Sequence, residues 1–231
     1  MQAFHKRDSR PSVAAIVPAY NEEKTIADVV QILSASPLID EVIVVSDGST
    51  DQTALMAQRA GARVITHKEQ NGKGQALIIG VEETQAPILV FFDADLRGLT
   101  QEHVACLILP VLSGARSMNV GLRDRGVFLT RLTRHLPLIS GERALKRCVF
   151  DQIPQEYLQG FMIEQTLNYY CRIKHLRYGS VLLTGLSIRR KYEKVGWPRA
   201  LWEYKKMFSE IIKAMILVRL ARLTGQFKSK K

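Results

Sequence analysis

The sequence predicts an α/β fold built on a mainly parallel sheet flanked by helices. Short β-branched apolar runs alternate with helical periodicity over residues 1–121, a rhythm that calls for crossover connections between parallel strands. Polar, often glycine-bearing loops follow the apolar runs, where open α/β sheets bind their ligands. The chain of 231 residues is 46% apolar and 24% charged, ordinary globular composition with enough material for one sizeable core.

The elements follow in order. Residues 13–17 read as a buried strand and 22–33 as a helix. A β-branched strand is expected over 41–46, a helix over 51–60 behind a Ser/Thr start, and a strand over 62–66. A helix over 73–83, a strand over 88–92, a helix over 101–112 and a short strand over 117–121 complete the pattern. Beyond residue 121 the rhythm changes. Residues 122–139 are irregular and basic, with Arg123, Arg125, Arg131 and Arg134. Helices are expected over 142–150 and 161–175, then a strand over 177–183. No internal repeat interrupts the chain. A single domain with a binding half (1–121) and a substrate-shaping half (122–197) is the simplest organisation, followed by a basic tail (198–231).

The net charge of +11 is concentrated at the end of the chain. Residues 189–231 hold 13 Lys or Arg against Glu193, Glu203 and Glu210, whereas the rest is nearly balanced. Such asymmetry implies an anionic partner. Residues 198–225 carry a helix signature, with Pro198 in the first turn and Gly225 at the end. Leu201, Tyr204, Phe208, Ile211, Met215 and Val218 form one apolar face, and Arg199, Lys206 and Lys213 lie away from it. A basic amphipathic helix of this kind suits a membrane interface, and equally a helix docked on the body. No apolar run approaches the ~20 residues of a membrane span. The polar residues 1–10 have no apolar h-region, so secretion is not expected, and Cys106, Cys148 and Cys171 lack metal or redox spacing. A cytoplasmic protein with reduced cysteines, in peripheral contact with the inner membrane face, is the expectation.

Four loops at expected strand ends carry the chemistry. Asp93-Ala94-Asp95 places two carboxylates at i and i+2 behind an apolar strand, an arrangement costly without a cation and suited to Mg²⁺ or Mn²⁺ with a diphosphate. An Asx-type turn is the bland alternative. Asp47 in Asp-Gly-Ser reads equally as a turn residue, and Asp51 as a helix cap. Lys73, between glycines at a helix start, could hold an anion. P-loop, dinucleotide and nucleophile-elbow motifs do not fit.

Taken together, Ile16-Val17-Pro18-Ala19-Tyr20-Asn21-Glu22, Ser46-Asp47-Gly48-Ser49-Thr50-Asp51, Asn71-Gly72-Lys73-Gly74-Gln75-Ala76-Leu77 and Asp93-Ala94-Asp95 resemble the family 2 glycosyltransferases of the GT-A fold. The resemblance covers residues 13–121 and implies a nucleotide-sugar donor. Its site would comprise Pro18, Ala19, Tyr20, Asn21, Glu22, Asp47, Gly48, Lys73, Asp93, Ala94 and Asp95. By that likeness Asp47 would meet the base and Lys73 the base or ribose region. Asp93 would meet the ribose or sugar, and Asp95 a divalent metal that clamps the diphosphate; Asp93 is the other metal candidate. Ser140-Gly141-Glu142-Arg143, Gly160-Phe161-Met162-Ile163-Glu164 and Lys191-Tyr192-Glu193-Lys194 resemble acceptor-side motifs of two groups. These are the polyprenyl-phosphate sugar transferases and the glucosyl-3-phosphoglycerate synthase type. In the second group a late-loop histidine commonly completes the metal site; here no histidine follows His175.

A hydroxyl acceptor attacking with inversion needs a base, for which Glu164 and Glu142 are the candidates. A phosphate acceptor needs none, and Arg123, Arg125, Arg131 and Arg134 suit its capture. Arg189, Lys191 and Lys194 could steady the leaving diphosphate. A lipid-linked phosphate acceptor is the first reading, because the basic tail would rest on an anionic leaflet. A soluble enzyme using a small phosphorylated or hydroxy-acid acceptor is the alternative. A nucleotide-sugar-binding protein without turnover is a further rival. Nucleic acid is not expected, since no groove-reading motif or stacking platform is present. A homo-oligomer is compatible with the sequence.

Overall fold

The computed structural model describes residues 10–123, 140–158 and 162–188. The strands are β1 (Val13–Ala19), β2 (Glu41–Asp47), β3 (Arg63–His67), β4 (Ile88–Phe91), β5 (Leu96–Arg97), β6 (Met118–Arg123), β7 (Arg143–Lys146), β8 (Tyr178–Leu183) and β9 (Ser187–Ile188). The helices are α1 (Ile26–Ser34), α2 (Thr53–Arg59), α3 (Lys73–Glu82), α4 (Gln101–Leu112), α5 (Arg147–Asp151) and α6 (Met162–Ile173).

Seven strands form one sheet in the order β3-β2-β1-β4-β7-β6-β8. β1 pairs in parallel with β2 and β4, β2 with β3, and β6 with β8. The expected mainly parallel sheet is therefore present, with β7 the antiparallel exception between β4 and β6. Both halves of the chain contribute to it. β1 shows why its strands read as continuous apolar runs: Val13, Ala15 and Val17 pack with α1 and α4, whereas Ile16 packs with α3 and α6 on the other face.

The expected helix over 142–150 is a correction. Residues Arg143–Lys146 are strand, and only Arg147–Asp151 are helical. β4 would otherwise present an unpaired backbone edge; β7 fills it, with Phe91 opposite Arg143 and Leu89 opposite Leu145. Its other edge pairs with β6. Tertiary pairing thus overrides a local pattern that reads as helix. The other elements lie within a few residues of their expected bounds, while the small antiparallel pair β5 and β9 had no sequence signal.

Pro110 sits inside α4 and cannot donate to the carbonyl of Cys106. The buried Asn119 on β6 supplies the missing donor, its Nδ2 giving hydrogen bonds of 3.1 Å to Cys106 and 3.0 Å to Leu107. The helix is continued and tied to the sheet by one side chain. Cys106, Cys148 and Cys171 lie on α4, α5 and α6 as free thiols. Burial pushes the Cys171 thiol up to about 12, against a smaller opposing pull from Arg143. Among the described residues no helix is long and apolar enough to cross a membrane.

Candidate active site

The carboxyl ends of β1, β2 and β4 open on the same side of the sheet, and the start of the antiparallel β7 joins them there. The β1 and β2 loops are laced to each other. Asn21 Oδ1 accepts the Thr50 N–H at 2.8 Å, Thr53 Oγ1 accepts the Glu22 N–H at 2.8 Å, and Asp51 Oδ2 accepts the Glu23 N–H at 3.2 Å. Asp51 also accepts the Thr53 N–H at 3.0 Å, but it stands one residue before the cap: the N-cap of α2 is Gln52, whose side chain makes no capping bond, so the cap expected at Asp51 is a local turn bond instead. Asn21 adopts a left-handed φ of 54°, which asparagine tolerates well. Pro18, Ala19 and the half-buried Asn21 surround the strand end, and Tyr20 projects outward at 43% exposure. Glu22 is buried beneath them.

Asp47 turns inward at 4% exposure. Its carboxylate accepts the N–H groups of Asn71 at 2.8 Å and Gly72 at 2.7 Å, which fixes the loop leading into α3. Gly48 makes this possible. Its φ is +71°, and a Cβ there would lie 2.7 Å from the Gln70 backbone nitrogen. The loop can approach β2 only where that atom is missing.

The anchored loop delivers Lys73 into a cluster of carboxylates. Its Nζ lies 2.7 Å from Asp93 Oδ1 and donates to Glu164 Oε1 at 3.1 Å. Burial opposes the ammonium charge, but Asp93 and Glu164 outweigh it and hold the Lys73 pKa above the ordinary lysine value. Lys73 thus bridges the turn after β4 and the first turn of α6. Asp93 is also packed against Gly141, where a Cβ would come within 2.4 Å and 2.6 Å of its two carboxylate oxygens.

Glu142 is fully buried and accepts from Ser140 Oγ, with Arg123 Nε 3.6 Å from its Oε2. Among the described residues its Oε1 and the Arg123 Nη1 are buried without a hydrogen-bond partner. Burial, then the charge of Asp93, raise the Glu142 pKa, with Arg123 pulling the other way. For Arg123, burial again opposes the charge, and Glu142 with Asp93 and Asp95 raises the pKa overall.

Arg143, one of the expected acceptor contacts, faces the interior at 1% exposure. Its Nη2 donates to the Ser140 carbonyl at 2.6 Å and its Nη1 to the Glu164 carbonyl at 3.2 Å. It fastens the turn before β7 to α6, and burial lowers its pKa despite Glu164 and Glu142 nearby. The sequence reading also missed Thr53 and Asn71, whose roles depend on loop contacts with no local signature. Arg125, Arg131, Arg134, Arg189, Lys191 and Lys194, together with the helix expected over 198–225, lie outside the described residues.

A divalent cation fits the donor chemistry of the β4 turn, where Asp93 and the half-buried Asp95 offer hard carboxylate oxygens. Among the described residues no group of three or more His, Cys, Asp or Glu is gathered to enclose an ion.

The α/β sheet thus sets an acidic turn after β4 and brings the ammonium of Lys73, from the start of α3, against it. The sequence model of glycosyl transferase family 2 matches residues 14–169, more than half of the chain, and the protein belongs to that family. The chain is 32% identical over 170 residues to glucosyl-3-phosphoglycerate synthase of Mycolicibacterium paratuberculosis, covering 63% of this chain and 52% of that protein. It is 36% identical over 121 residues to 4,4'-diaponeurosporenoate glycosyltransferase of Staphylococcus haemolyticus, covering 50% of this chain and 32% of the relative. The chain therefore spans about half the length of the synthase and less of the second relative. Among solved structures it is similar to glucosyl-3-phosphoglycerate synthase of Mycobacterium tuberculosis with Mg²⁺ and UDP, at TM-score 0.76, 26% identity, 90% of this chain and 79% of that one. The same enzyme with Mn²⁺, UDP-glucose and phosphoglyceric acid matches at TM-score 0.75 and 26% identity, over 90% of this chain and 79% of that one.

Proposed function

We propose that the protein is a metal-assisted glycosyltransferase that moves a sugar from a UDP-sugar to a small phosphorylated acceptor of the phosphoglycerate kind. The observation that carries this reading is the likeness over 90% of the chain to a synthase solved with UDP and Mg²⁺. The order of the first and alternative readings is thereby reversed: the small phosphorylated acceptor now has more support than the lipid-linked one.

In this reading the loops after β1 and β2 cradle the nucleotide. Asp95, with Asp93 beside it, would hold Mg²⁺ or Mn²⁺, which when bound supplies charge neutralisation on the leaving diphosphate. Asp93 and Lys73 line the sugar side of the donor. The bond between the anomeric carbon and the diphosphate oxygen breaks, a bond to the acceptor oxygen forms, and UDP leaves. Of the two glutamates, Glu164 is the more accessible to an acceptor hydroxyl and its proton, with 6% of its side chain exposed against 0% for Glu142. Arg123 adds a cation for the acceptor's anionic group, joined by Arg125, Arg189, Lys191 and Lys194 as further candidates. Ser140, Gly141 and Glu142 form the wall between donor and acceptor.

A lipid-linked acceptor is the second reading. It is favoured by the excess of ten positive charges over residues 189–231, which suits peripheral contact with an anionic leaflet. Radiolabelled transfer from UDP-glucose separates the two. Product on 3-phosphoglycerate in lipid-free buffer supports the first reading. Product that forms only with polyprenyl phosphate in anionic vesicles supports the second and overturns the first.

A further inference from the structure

Lys73 touches two carboxylates of the site at once, with Nζ 2.7 Å from Asp93 Oδ1 and 3.1 Å from Glu164 Oε1. Its backbone is fixed, because the preceding Gly72 N–H is held by Asp47 at 2.7 Å. Its side chain is not fixed in the same way: lysine is a compact charge on a flexible four-carbon stem. Arg143 differs, its guanidinium spread between the Ser140 and Glu164 carbonyls. Among the described residues, Lys73 is therefore a cation of the cluster that can change partners while the loops stay in place, and it is the one in contact with Asp93.

The charge balance says when it would do so. Among the described residues, Asp93, Asp95, Glu142 and Glu164 share the cluster with Lys73, Arg123 and Arg143, so the carboxylates are largely balanced before any metal arrives. A divalent ion arriving alone would bring two positive charges beside an ammonium already neutralising Asp93, and repulsion in a partly buried site is weakly screened. A nucleoside diphosphate changes both terms. It supplies oxygen ligands to the ion and an alternative anion to the lysine.

We propose that Lys73 is the resident counter-ion of Asp93 and Glu164, and that it makes divalent-metal binding depend on a bound nucleoside diphosphate. The inference rests on the metal-assisted reading above and adds a binding order to it. Linkage requires reciprocity: the factor by which UDP tightens the metal is the factor by which the metal tightens UDP.

Mn²⁺ retained by the full chain in equilibrium dialysis, with the same free Mn²⁺ and UDP concentrations on the protein-free side, tests this without turnover. Wild type, Lys73→Met, Lys73→Gln and Asp95→Asn are titrated with and without saturating UDP. The expected result is weak Mn²⁺ binding by wild type alone and at least tenfold tighter binding with UDP. In the lysine variants nucleotide-free affinity rises at least tenfold and the gain from UDP shrinks; Asp95→Asn loses the binding. Lys73→Gln retains hydrogen-bonding capacity without the charge, and guards against misfolding of the methionine variant. Folded lysine variants that bind Mn²⁺ no tighter than wild type would overturn the inference. So would equal wild-type affinity with and without UDP, or binding that survives Asp95→Asn. No Mn²⁺ binding by wild type even with UDP would instead overturn the metal-assisted reading, and the inference with it.

Discussion

The carboxylate of Asp47, the last residue of β2, accepts the backbone N–H of Gly72 at 2.7 Å, and this bond sets the origin from which Lys73 reaches Asp93. A second bond, from the Asn71 N–H at 2.8 Å, shares the same carboxylate. Two charge-assisted bonds across the mouth of the sheet make Asp47 a tether for the loop that carries Lys73.

Asp47→Ala should therefore cost about 2–3 kcal/mol of stability, the range for losing bonds to a charged group. UDP affinity should fall with it, because Lys73 loses its fixed starting point. Urea denaturation and calorimetric UDP titration check the two effects. An unchanged denaturation midpoint would show that the loop is held by something else.

Gly141→Ala should act on activity more than on folding. The new methyl group would lie 2.4 Å and 2.6 Å from the Asp93 carboxylate oxygens, so the carboxylate must shift. A displacement of about 1 Å at a reacting centre costs on the order of a hundredfold in rate. Steady-state kinetics should show kcat/KM falling by roughly ten- to a hundredfold. The melting temperature should change little, since the backbone at this position is not left-handed. Undiminished kcat/KM would remove Asp93 from the donor site.

Glu142 should make stability fall as pH rises on the acid side. Burial and Asp93 raise its folded pKa above the ordinary value of 4.5, so between those two values the native state binds more protons than the unfolded chain. Stability therefore decreases with rising pH through that window. Glu142→Gln mimics the protonated form and removes this dependence. The variant's advantage in stability should grow from pH 4.5 upward and then level off. Thermal melts across pH check it, and parallel curves for the two proteins would contradict it.

Much of the donor half was legible because its signals are local. Runs such as Ile88–Phe91 are apolar on both faces, and a strand covered by helices on both faces requires that. The acidic and glycine-bearing turns fall at the strand ends, as α/β topology demands. β7 was not legible, because Arg143–Lys146 becomes a strand only when β4 and β6 stand on either side of it. Arg143 shows the same limit at the site: the acceptor-side motif it stands in suggested a ligand contact, whereas its position on a central strand turns it inward to the Ser140 and Glu164 carbonyls. Lys73 stood out as a lysine between glycines at a helix start, but its partner Glu164 lies 91 residues away, beyond any local pattern.

The most direct test of the account is UDP release from UDP-glucose in the presence of Mn²⁺ and 3-phosphoglycerate, comparing wild type with Asp95→Asn. The account predicts metal-dependent, acceptor-dependent turnover by wild type. Loss of the metal-held carboxylate should cost several kcal/mol of transition-state stabilisation, about a thousandfold or more in rate. Wild-type turnover that neither needs the metal nor falls in Asp95→Asn would contradict it.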